Sequence, residues 1–311
     1  MRVSIVLPVR NAGPDLDGVL AGIAAQEHDL GEVEVLAVDS GSSDGTPERL
    51  ERSGARVIRI APETFDHGGT RDLAIGEARG EIVVLLVQDA MPGDEHWLRH
   101  LVAALDDPQV AGAWCRQVAR PDAPSVTALR LAESLHGSRA PRIARLPPGR
   151  TLSDLQPFDR LSLCSFDNVC SAVRKSVWST IRFGPCAFAE DMIWGKAAIE
   201  AGHAIAYTPR AFVVHSHDRS VAYEYRRTYL AHHALHRLFG VRTVPDLGTA
   251  WRSLASSGRW MRHAWANDRP FGRRVHHTLR VPVERFVTAI AQLRGARDAA
   301  EGRPPRRHRG V

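Results

Sequence analysis

The stretch VSIVLPV, residues 3–9, is apolar at almost every position, so a strand made from it would bury both of its faces. Three similar runs follow at helix-length intervals: VEVLAV at 33–38, RVIRI at 56–60 and IVVLLV at 82–87. Strands that are apolar on both faces are typical of parallel sheets covered by helices on each side. The sequence therefore predicts an α/β fold with a mostly parallel central sheet.

The segments between these runs carry signals for helices. Pro47 follows Thr46, a residue suited to a helix N-cap, and the segment closes at Gly54. The next helical segment runs from Thr70 and also stops at a glycine, Gly80. We therefore expect four strand–helix repeats to fill roughly the first hundred residues.

The regular pattern weakens after about residue 120. Residues 121–152 are rich in proline and arginine, and the length of this stretch predicts a mobile or substrate-covering loop. Regular patterns return with FDNVCSAV (166–173), the helix DMIWGKAAIEA (191–201) and the short strands AIAY (204–207) and AFVVH (211–215). From Val221 the sequence has helical periodicity, and its last residues, 296–311, have the composition of a disordered tail.

The composition is that of a folded globular protein, with 44% hydrophobic and 24% charged residues. No run is long and apolar enough for a spanning helix, and the start MRVSIVLPVRNAG lacks the apolar core and cleavage site of a signal peptide. A cytoplasmic location is therefore expected. The net charge is +6, with arginines concentrated in the last third of the chain, which predicts an anionic partner or surface for that part.

Bulky aromatic residues lie among these arginines: Trp251, Trp260, Trp265 and Phe271. Basic and aromatic residues in helical periodicity are typical of helices that lie on an anionic membrane surface. The alternative is a helical core that contains the tryptophans, with solvated arginines outside. No basic motif with interleaved aromatic residues indicates nucleic-acid binding. Peripheral contact with the inner face of the plasma membrane is therefore the preferred interpretation.

Polar loops follow all four predicted strands, and they decide which ligand the sheet would bind. The loops are PVRN (8–11), DSGSSDGT (39–46), FDHGGTRD (65–72) and QDA (88–90). Ligands of open parallel sheets bind beyond the carboxyl ends of the strands, so these loops should converge on one crevice. RNAGPD (10–15) supplies no GxGxxG and no P-loop is present, which disfavours both common nucleotide-binding motifs.

Several motifs, in this order, resemble those of the family-2 glycosyltransferases with the GT-A fold: VSIVLPVRN, VDSGSSDGT, GGTRD, LLVQDAMP, AEDMIWG and VVHSH. The resemblance covers about residues 1–220 and implies a Rossmann-like nucleotide-sugar-binding and catalytic domain there. A helical basic extension at 221–295 and the tail at 296–311 would follow. QDA in place of the usual DxD, together with FDHGGTRD, resembles the rhamnosyltransferase-type members, which use dTDP-L-rhamnose.

A divalent cation, Mg or Mn, is implied because it would neutralise the diphosphate leaving group. Asp89 matches the second acid of DxD and is the first candidate ligand, whereas Val87 stands where the first acid would be. By resemblance, His215 is the second ligand and replaces part of what QDA lacks. His215 and His217 alternate at a strand end and so point to the same side. A lone histidine is also often structural, and Asp89 could simply cap a turn.

The resemblance also implies the contacts to a dTDP- or UDP-linked sugar. Asp39 would accept from the imide N–H of a pyrimidine base. Gly69 would allow close approach of the backbone, and Arg71 would offer its guanidinium to the base or diphosphate. The remaining predicted donor-binding residues are Pro8, Arg10, Asn11 and Gln88.

An inverting transfer needs one base to remove the proton of the acceptor hydroxyl. By resemblance Asp191 is that base, with Glu190 beside it, at a point where a loop enters a helix. The alternative is an acid that only favours the helix dipole. Trp194 is a candidate platform for the acceptor, or else a core aromatic residue, and His217 is a second acceptor-side candidate.

The sequence thus predicts an inverting, metal-dependent glycosyltransferase that uses a nucleotide-sugar donor and a glycan or lipid-linked acceptor. Its place would be the synthesis of cell-envelope polysaccharide. Two alternatives remain open. The missing first acid of DxD would suit a nucleotide-sugar-binding protein without activity. A nucleotidyltransferase would need a glycine-rich basic loop after the first strand, where only Arg10 stands.

Overall fold

The computed structural model describes residues 3–305 of the chain. Its strands are β1 (Val3–Val9), β2 (Val33–Asp39), β3 (Arg56–Arg59), β4 (Ile82–Leu86), β5 (Met91–Pro92), β6 (Val110–Val118), β7 (Arg142–Ala144), β8 (Cys170–Arg174) and β9 (Ala204–Val214). Its α-helices are α1 (Asp15–Ala24), α2 (Thr46–Arg52), α3 (His67–Glu77), α4 (Trp97–Ala103), α5 (Ser125–Ala132), α6 (Pro157–Cys164), α7 (Lys175–Trp178), α8 (Glu190–Glu200), α9 (Val221–Phe239), α10 (Leu247–Ala255), α11 (Gly258–Asn267) and α12 (Phe271–Ala300).

The described chain divides into two compact units, and each is considered by itself. The first contains residues 3–118, 134–154 and 163–215, and the second contains residues 119–133, 155–162 and 216–305. All the strands belong to the first unit, which we call the sheet unit. The second is built from helices, and we call it the helical unit.

The sheet runs in the order β3-β2-β1-β4-β8-β6-β9-β5, with β7 also paired to β9. Strands β1 to β4 pair in parallel, as the four apolar runs predict. β1, β4 and the second half of β2 are buried, whereas β3 is only partly buried. The other half is mixed, because β8 is antiparallel to both β4 and β6 while β6 and β9 are parallel. The α/β prediction is confirmed, although the sheet as a whole is less uniformly parallel than the sequence suggested.

Three local expectations differ from the structure. The segment 121–152, expected to be a loop, contains helix α5 and strand β7, and β7 pairs with β9. The run VAGAWCRQV (110–118) forms β6, a strand that is not among the four predicted parallel strands or the later short ones. The two predicted short strands at 204–215 are one strand, β9, that continues through Pro209. A register shift in the pairing with β6 near this proline accommodates the missing N–H.

The helical unit has small apolar clusters of its own. Val126, Ala264 and Val281 form one of them, against which Trp260 and Met261 pack. The long helix α12 continues to Ala300, so the first five residues of the expected tail, 296–300, are helical. It continues because Asp298 is buried, where it accepts a hydrogen bond from the Tyr229 hydroxyl at 2.9 Å. Residues 301–305 follow as a turn and an irregular segment, and residues 306–311 of the expected tail lie outside the described residues.

Candidate active site

A pair of side chains at the end of β9 forms the candidate metal site. Met91 of β5 pairs with Val214 of β9, so the residues just before β5 lie beside those just after β9. This pairing brings Nε2 of His215 to 3.8 Å from Oδ1 of Asp89. Both side chains are largely buried, with 11% and 20% of their surface exposed, respectively. The two residues predicted as ligands are therefore neighbours.

Gln117 of β6 orients the His215 ring. Nε2 of Gln117 donates to Oδ2 of Asp167 at 2.5 Å, which leaves its Oε1 as an acceptor 3.0 Å from Nδ1 of His215. Nδ1 must then carry the proton of a neutral imidazole, and Nε2 keeps its lone pair on the side of Asp89. A histidine that ligates a metal commonly donates its other N–H in this way.

Asp191 lies in the first turn of helix α8 and is partly buried. Burial raises the pKa of its carboxyl to about 8, and the charges of Glu190 and Asp167 contribute in the same direction. Its Oδ1 accepts from the N–H of Met192 at 2.7 Å. A carboxylate with a pKa near neutrality suits proton transfer, because it accepts a proton readily and releases it again.

Glu190, next to Asp191, is held inside the protein. Its Oε1 lies 3.0 Å from Nη1 of Arg71, and both side chains are less than a tenth exposed. Nδ2 of Asn168 donates to the same oxygen at 3.3 Å. Nη1 of Arg71 also donates to the carbonyl oxygen of His67 at 2.9 Å. Arg71, which was predicted to contact the donor, thus forms an ion pair with Glu190. Both residues are placed to support the start of α8.

The FDHGGTRD stretch connects helix α3 to the loop that leads into α8. Oδ1 of Asp66 caps α3 by accepting from Gly69 N–H at 2.7 Å, and it also accepts from Cys186 N–H at 2.8 Å. The N–H of Gly68 donates to the Cys186 carbonyl at 3.1 Å, and a Cβ on Gly68 would collide with the carbonyl oxygen of Gly184. Gly69 was predicted to lie against the donor, but its N–H serves this cap. The cap also explains why α3 begins before Thr70.

Asp72 closes the same connection from the other end of the motif. Its Oδ1 accepts from Nε1 of Trp178 at 2.7 Å and from the Phe183 N–H at 3.1 Å. Its Oδ2 accepts from the Gly184 N–H at 2.8 Å. Two carboxylates, Asp66 and Asp72, therefore hold the loop before α8 by their hydrogen bonds to backbone N–H groups.

The loops after β1 and β4 are joined by a reciprocal pair of hydrogen bonds. The N–H of Arg10 donates to Oε1 of Gln88 at 2.8 Å, and Nε2 of Gln88 donates back to the Arg10 carbonyl at 3.3 Å. The Arg10 side chain is exposed. Pro8, on β1, pairs with Val38 of β2 and is partly exposed. The predicted convergence of the β1 and β4 loops is therefore present.

Asn11 and Asp39 organise the loops after β1 and β2. Asn11 adopts a left-handed backbone with φ of 45°, and its Oδ1 accepts from the Ser43 N–H at 2.8 Å. Asp39, at the end of β2, is buried, and its carboxylate accepts from the backbone of Gly41 and Ser42 at 3.2 Å. It also accepts from the Ser42 hydroxyl at 2.5 Å. Asp39 is thus oriented by its own loop at the edge where a base would bind.

The two acceptor-side candidates have different outcomes. Trp194 is fully buried, stacks on Phe183 with ring centroids 5.6 Å apart, and donates to the Ile181 carbonyl at 2.9 Å. The platform prediction for Trp194 is therefore wrong, and the alternative of a core aromatic residue holds. His217 is exposed and lies in the irregular segment between β9 and α9, at the start of this part of the helical unit. Its predicted role stays a prediction.

Sequence reasoning missed the polar residues that support the candidate ligands and base. Asp167 accepts from Gln117 and lies 3.3 Å from Nε2 of His136. Asn168 connects Glu190 to the Ser171 hydroxyl, which donates to its Oδ1 at 2.9 Å. The signal was the polar pair Asp167–Asn168 directly before the buried strand β8, which resembles the other strand-end loops.

The donor set of Asp89 and His215 fits a divalent cation that accepts both oxygen and nitrogen. Mn²⁺ tolerates imidazole beside carboxylate and phosphate oxygen, whereas Mg²⁺ prefers oxygen alone. The lone pair on Nε2 of His215 faces the Asp89 carboxylate, so both atoms could bind one ion. Asp89 and His215 are the two ligands proposed from the sheet unit. The remaining coordination positions of the ion could therefore be taken by diphosphate oxygens.

Comparison with known proteins identifies the family of this chain. The family model of Glycosyl transferase family 2 matches residues 4–177, which is more than half of the chain. The chain belongs to glycosyl transferase family 2. The O-antigen chain rhamnosyltransferase RfbN of Salmonella typhimurium is 28% identical to this glycosyltransferase over 233 residues, which are 74% of this chain and 71% of that protein.

Solved glycosyltransferases have the same fold. The mannosyltransferase PcManGT of Pyrobaculum calidifontis, in complex with GDP-Man and Mn²⁺, has a TM-score of 0.58 at 18% identity over 94% of this chain and 87% of that chain. TarS residues 1–349 of S. aureus, in complex with UDP-GlcNAc, has a TM-score of 0.52 at 16% identity over 98% and 93% of the two chains. The predicted GT-A fold of this glycosyltransferase is confirmed.

Proposed function

We propose that this glycosyltransferase transfers L-rhamnose from dTDP-L-rhamnose to a hydroxyl group of a glycan or lipid-linked acceptor, with inversion at the anomeric carbon. The likeness to an O-antigen rhamnosyltransferase over 74% of the chain supports the sugar and the class of acceptor. The proposed mechanism rests on Asp191, which is partly buried at the start of α8, because its pKa of about 8 suits a general base.

In the proposed reaction the acceptor oxygen attacks the anomeric carbon of the donor while Asp191 takes the hydroxyl proton. The bond from that carbon to the diphosphate oxygen breaks, and its electron pair leaves with the nucleoside diphosphate. Asp191 must be ionised to accept the proton, so the rate should rise with pH until its carboxyl is deprotonated. Glu190, fixed by Arg71 and Asn168, holds the first turn of α8 and hence the position of Asp191.

Asp89 and His215 would hold Mg or Mn against the diphosphate. Such an ion, when bound, neutralises the negative charge that develops on the leaving group. The Gln117–Asp167 pair keeps Nε2 of His215 available as a ligand. Of these two proposed ligands only Asp89 is negatively charged. We therefore expect the ion to bind more tightly when the donor diphosphate is present than when it is absent.

The preference for a thymidine or uridine diphosphate would come from Asp39. A carboxylate accepts hydrogen bonds, and the imide N–H of thymine or uracil is a donor, whereas N1 of adenine offers only a lone pair. Asp39 is oriented by Gly41 and Ser42, so a base could approach a carboxylate that is already placed.

The helical unit supports a peripheral membrane role. Trp251, Trp265 and Phe271 are each about half exposed or more, at 58%, 46% and 67%. The guanidinium of Arg274 lies 5.4 Å from the Trp265 ring. Trp260 differs, because it packs on a buried cluster as the core alternative predicted. No helix among residues 3–305 is long and apolar enough to span a bilayer. Exposed aromatic rings beside arginines suit attachment to the surface of the inner leaflet.

Turnover with a panel of nucleotide sugars and a rhamnose-accepting glycolipid, with Mn²⁺ or EDTA, tests the proposal. We expect transfer from dTDP-L-rhamnose and inversion at the new linkage, detected by NMR. Retention at that linkage would refute the inverting mechanism. Tight donor binding without turnover of any acceptor would instead support the binding-protein alternative. Release of pyrophosphate from a nucleoside triphosphate and a sugar phosphate would support a nucleotidyltransferase.

A further inference from the structure

A cavity of about 390 Å³ lies inside the helical unit, apart from every residue used above for the donor, the ion or the base. Its wall is about half polar and half apolar, and the polar half is rich in cations. The residues that matter for its chemistry are Arg130, Arg227, Thr228, Arg285, Thr288 and Gln292. We call this space the arginine cavity. Its volume falls in the range of small-molecule sites, which is about 300–1,000 Å³.

The polar wall comes from the faces that α9 and α12 turn toward each other. On α9 the lining positions include Arg227 and Thr228, and on α12 they include Arg285, Thr288 and Gln292, at the spacing of a single helix face. Facing stripes of packed helices normally carry aliphatic side chains that fill the space between them. Here polar donors share the lining with Ala231, Val244 and Ala289, and the space between the helices is not filled, so the sequence departs from close packing at this place.

The cations of the cavity are only partly compensated by anions. Arg130 pairs with Glu284, with Nη1 to Oε1 at 2.8 Å. Arg285 donates to neutral partners, the Ser253 carbonyl at 3.1 Å and the Ser256 hydroxyl at 2.8 Å. Arg227 is exposed, and its guanidinium donates no hydrogen bond among residues 3–305. Burial, and then the charge of Arg130, lower the pKa of the Arg285 guanidinium.

Two further titratable groups line the cavity. Burial raises the pKa of the Glu224 carboxyl, which is also close to Arg227, Glu284, Arg130 and Arg280. Burial lowers the pKa of His232 to about 4, so this imidazole is neutral at physiological pH. Glu284 offsets the charge of Arg130, and Glu224 offsets at most one more, so at least one of the three arginine charges of the lining has no compensating anion among these groups.

We propose that the arginine cavity binds a diphosphate group. Arginine presents a planar fork of N–H donors that matches phosphate oxygens, and several arginines can share one diphosphate. Thr228, Thr288 and Gln292 supply further hydrogen-bonding groups along the same wall. A bound dianion or trianion would offset the repulsion between cations that the folded unit otherwise keeps close together.

The test uses the full chain in EDTA and titrates pyrophosphate by isothermal calorimetry at low salt. EDTA removes divalent ions, on which diphosphate binding beside Asp89 and His215 would depend. We expect wild-type protein to bind pyrophosphate and to lose affinity as salt is added. Arg227→Gln and Arg285→Gln should each weaken binding about tenfold to a hundredfold, which corresponds to the about 1.5–3 kcal/mol of a charged hydrogen bond.

Two controls make the result specific. Arg237→Gln changes an exposed arginine of α9 that does not line the cavity, and it should bind as the wild type does. Asp89→Ala should also bind as the wild type does, which separates the cavity from the proposed donor site. Arg227→Gln is informative even if Arg285→Gln fails to fold, because Arg227 makes no hydrogen bond that the fold would lose.

A vesicle-binding assay distinguishes a lipid-linked diphosphate from a soluble one. Phosphatidylcholine vesicles with a polyprenyl diphosphate are compared with vesicles of phosphatidylcholine alone, using the same variants. Binding that requires the polyprenyl diphosphate and is lost in Arg227→Gln assigns the cavity to a lipid headgroup. Binding of soluble pyrophosphate alone assigns it to a free metabolite. The proposal is overturned if wild-type protein binds neither probe, or if Arg227→Gln and Arg285→Gln bind both as tightly as wild type.

Discussion

Nη1 of Arg71 lies 3.0 Å from Oε1 of Glu190, and the two buried side chains join helix α3 to the first turn of α8. Removing one partner of a buried ion pair leaves an uncompensated charge. Arg71→Met should therefore lower the free energy of unfolding by about 3–5 kcal/mol. Urea unfolding followed by circular dichroism measures this loss.

The double variant distinguishes the ion pair from simple packing. Arg71→Met combined with Glu190→Leu removes both charges together, so its cost should be smaller than the sum of the two single costs. Strictly additive costs would contradict the pairing.

Asp191→Asn should have opposite effects on activity and on stability. Loss of the base should reduce the turnover rate by about a hundredfold to ten-thousandfold with donor binding kept. The folded pKa of about 8 lies above the unfolded value of about 3.9. The wild-type protein therefore loses stability as pH rises from about 4 to about 8, because its buried carboxyl must ionise. The variant has no such group, so its advantage in melting temperature should grow across this window.

A second acid on the same helix serves as the control for Asp191. Glu200 lies at the exposed end of α8, 2.6 Å from Nζ of Lys196, and Glu200→Gln should change stability little at any pH. The assignment fails if Asp191→Asn turns over like wild type, or if its stability relative to wild type does not change with pH.

Gln117→Leu should weaken Mn²⁺ binding although Gln117 is not itself a predicted ligand. Without Oε1 of Gln117, nothing keeps the proton on Nδ1 of His215, and Nε2 is no longer held as a lone-pair donor. Loss of such a supporting hydrogen bond costs about 10- to 100-fold in metal affinity. Electron paramagnetic resonance of free Mn²⁺ measures the affinity directly, with or without dTDP. Gln109→Leu, just before the same strand, should leave the affinity unchanged.

Gly68→Ala and Gly76→Ala, in the same helix α3, should change stability in opposite directions. A Cβ at Gly68 would collide with the Gly184 carbonyl, and such overpacking costs about 1–3 kcal/mol. A Cβ at Gly76 would meet only the edge of Trp178 at 3.7 Å, so the alanine should gain about 0.5–1 kcal/mol of helix propensity. Equal effects of the two substitutions in thermal unfolding would contradict the close approach of α3 to the loop before α8.

The sequence predicted the parallel half of the sheet because each of its strands is an apolar-rich run bounded by turn residues, and β1 and β4 are buried on both faces. It also predicted that Asp89 and His215 belong together, and the pairing of β5 with β9 places them side by side. That pairing involves only Met91 and Pro92 of β5, which no periodicity argument could have found.

The roles within FDHGGTRD were harder to predict, because its partners are backbone groups elsewhere in the chain. The N–H groups of Phe183, Gly184 and Cys186 carry no signal in the letters of the sequence. The partner of Arg71 was also not predictable from the sequence. Its positive charge suggested contact with a base or diphosphate, and in the structure it pairs with Glu190. The position of Trp194 was ambiguous for a similar reason. An aromatic residue three positions after the predicted catalytic base can line the acceptor site or fill the core, and Trp194 is fully buried.

The short strands at the margins of the sheet have a consequence for aggregation. β9 is the longest strand, and its outer side is covered at one end by β7 and at the other by β5, each of two or three residues. The opposite margin is β3, which carries Arg56 and Arg59. Short, charged or proline-containing edges offer little template for the strands of another molecule. Intermolecular strand pairing is thus disfavoured at both margins of the sheet.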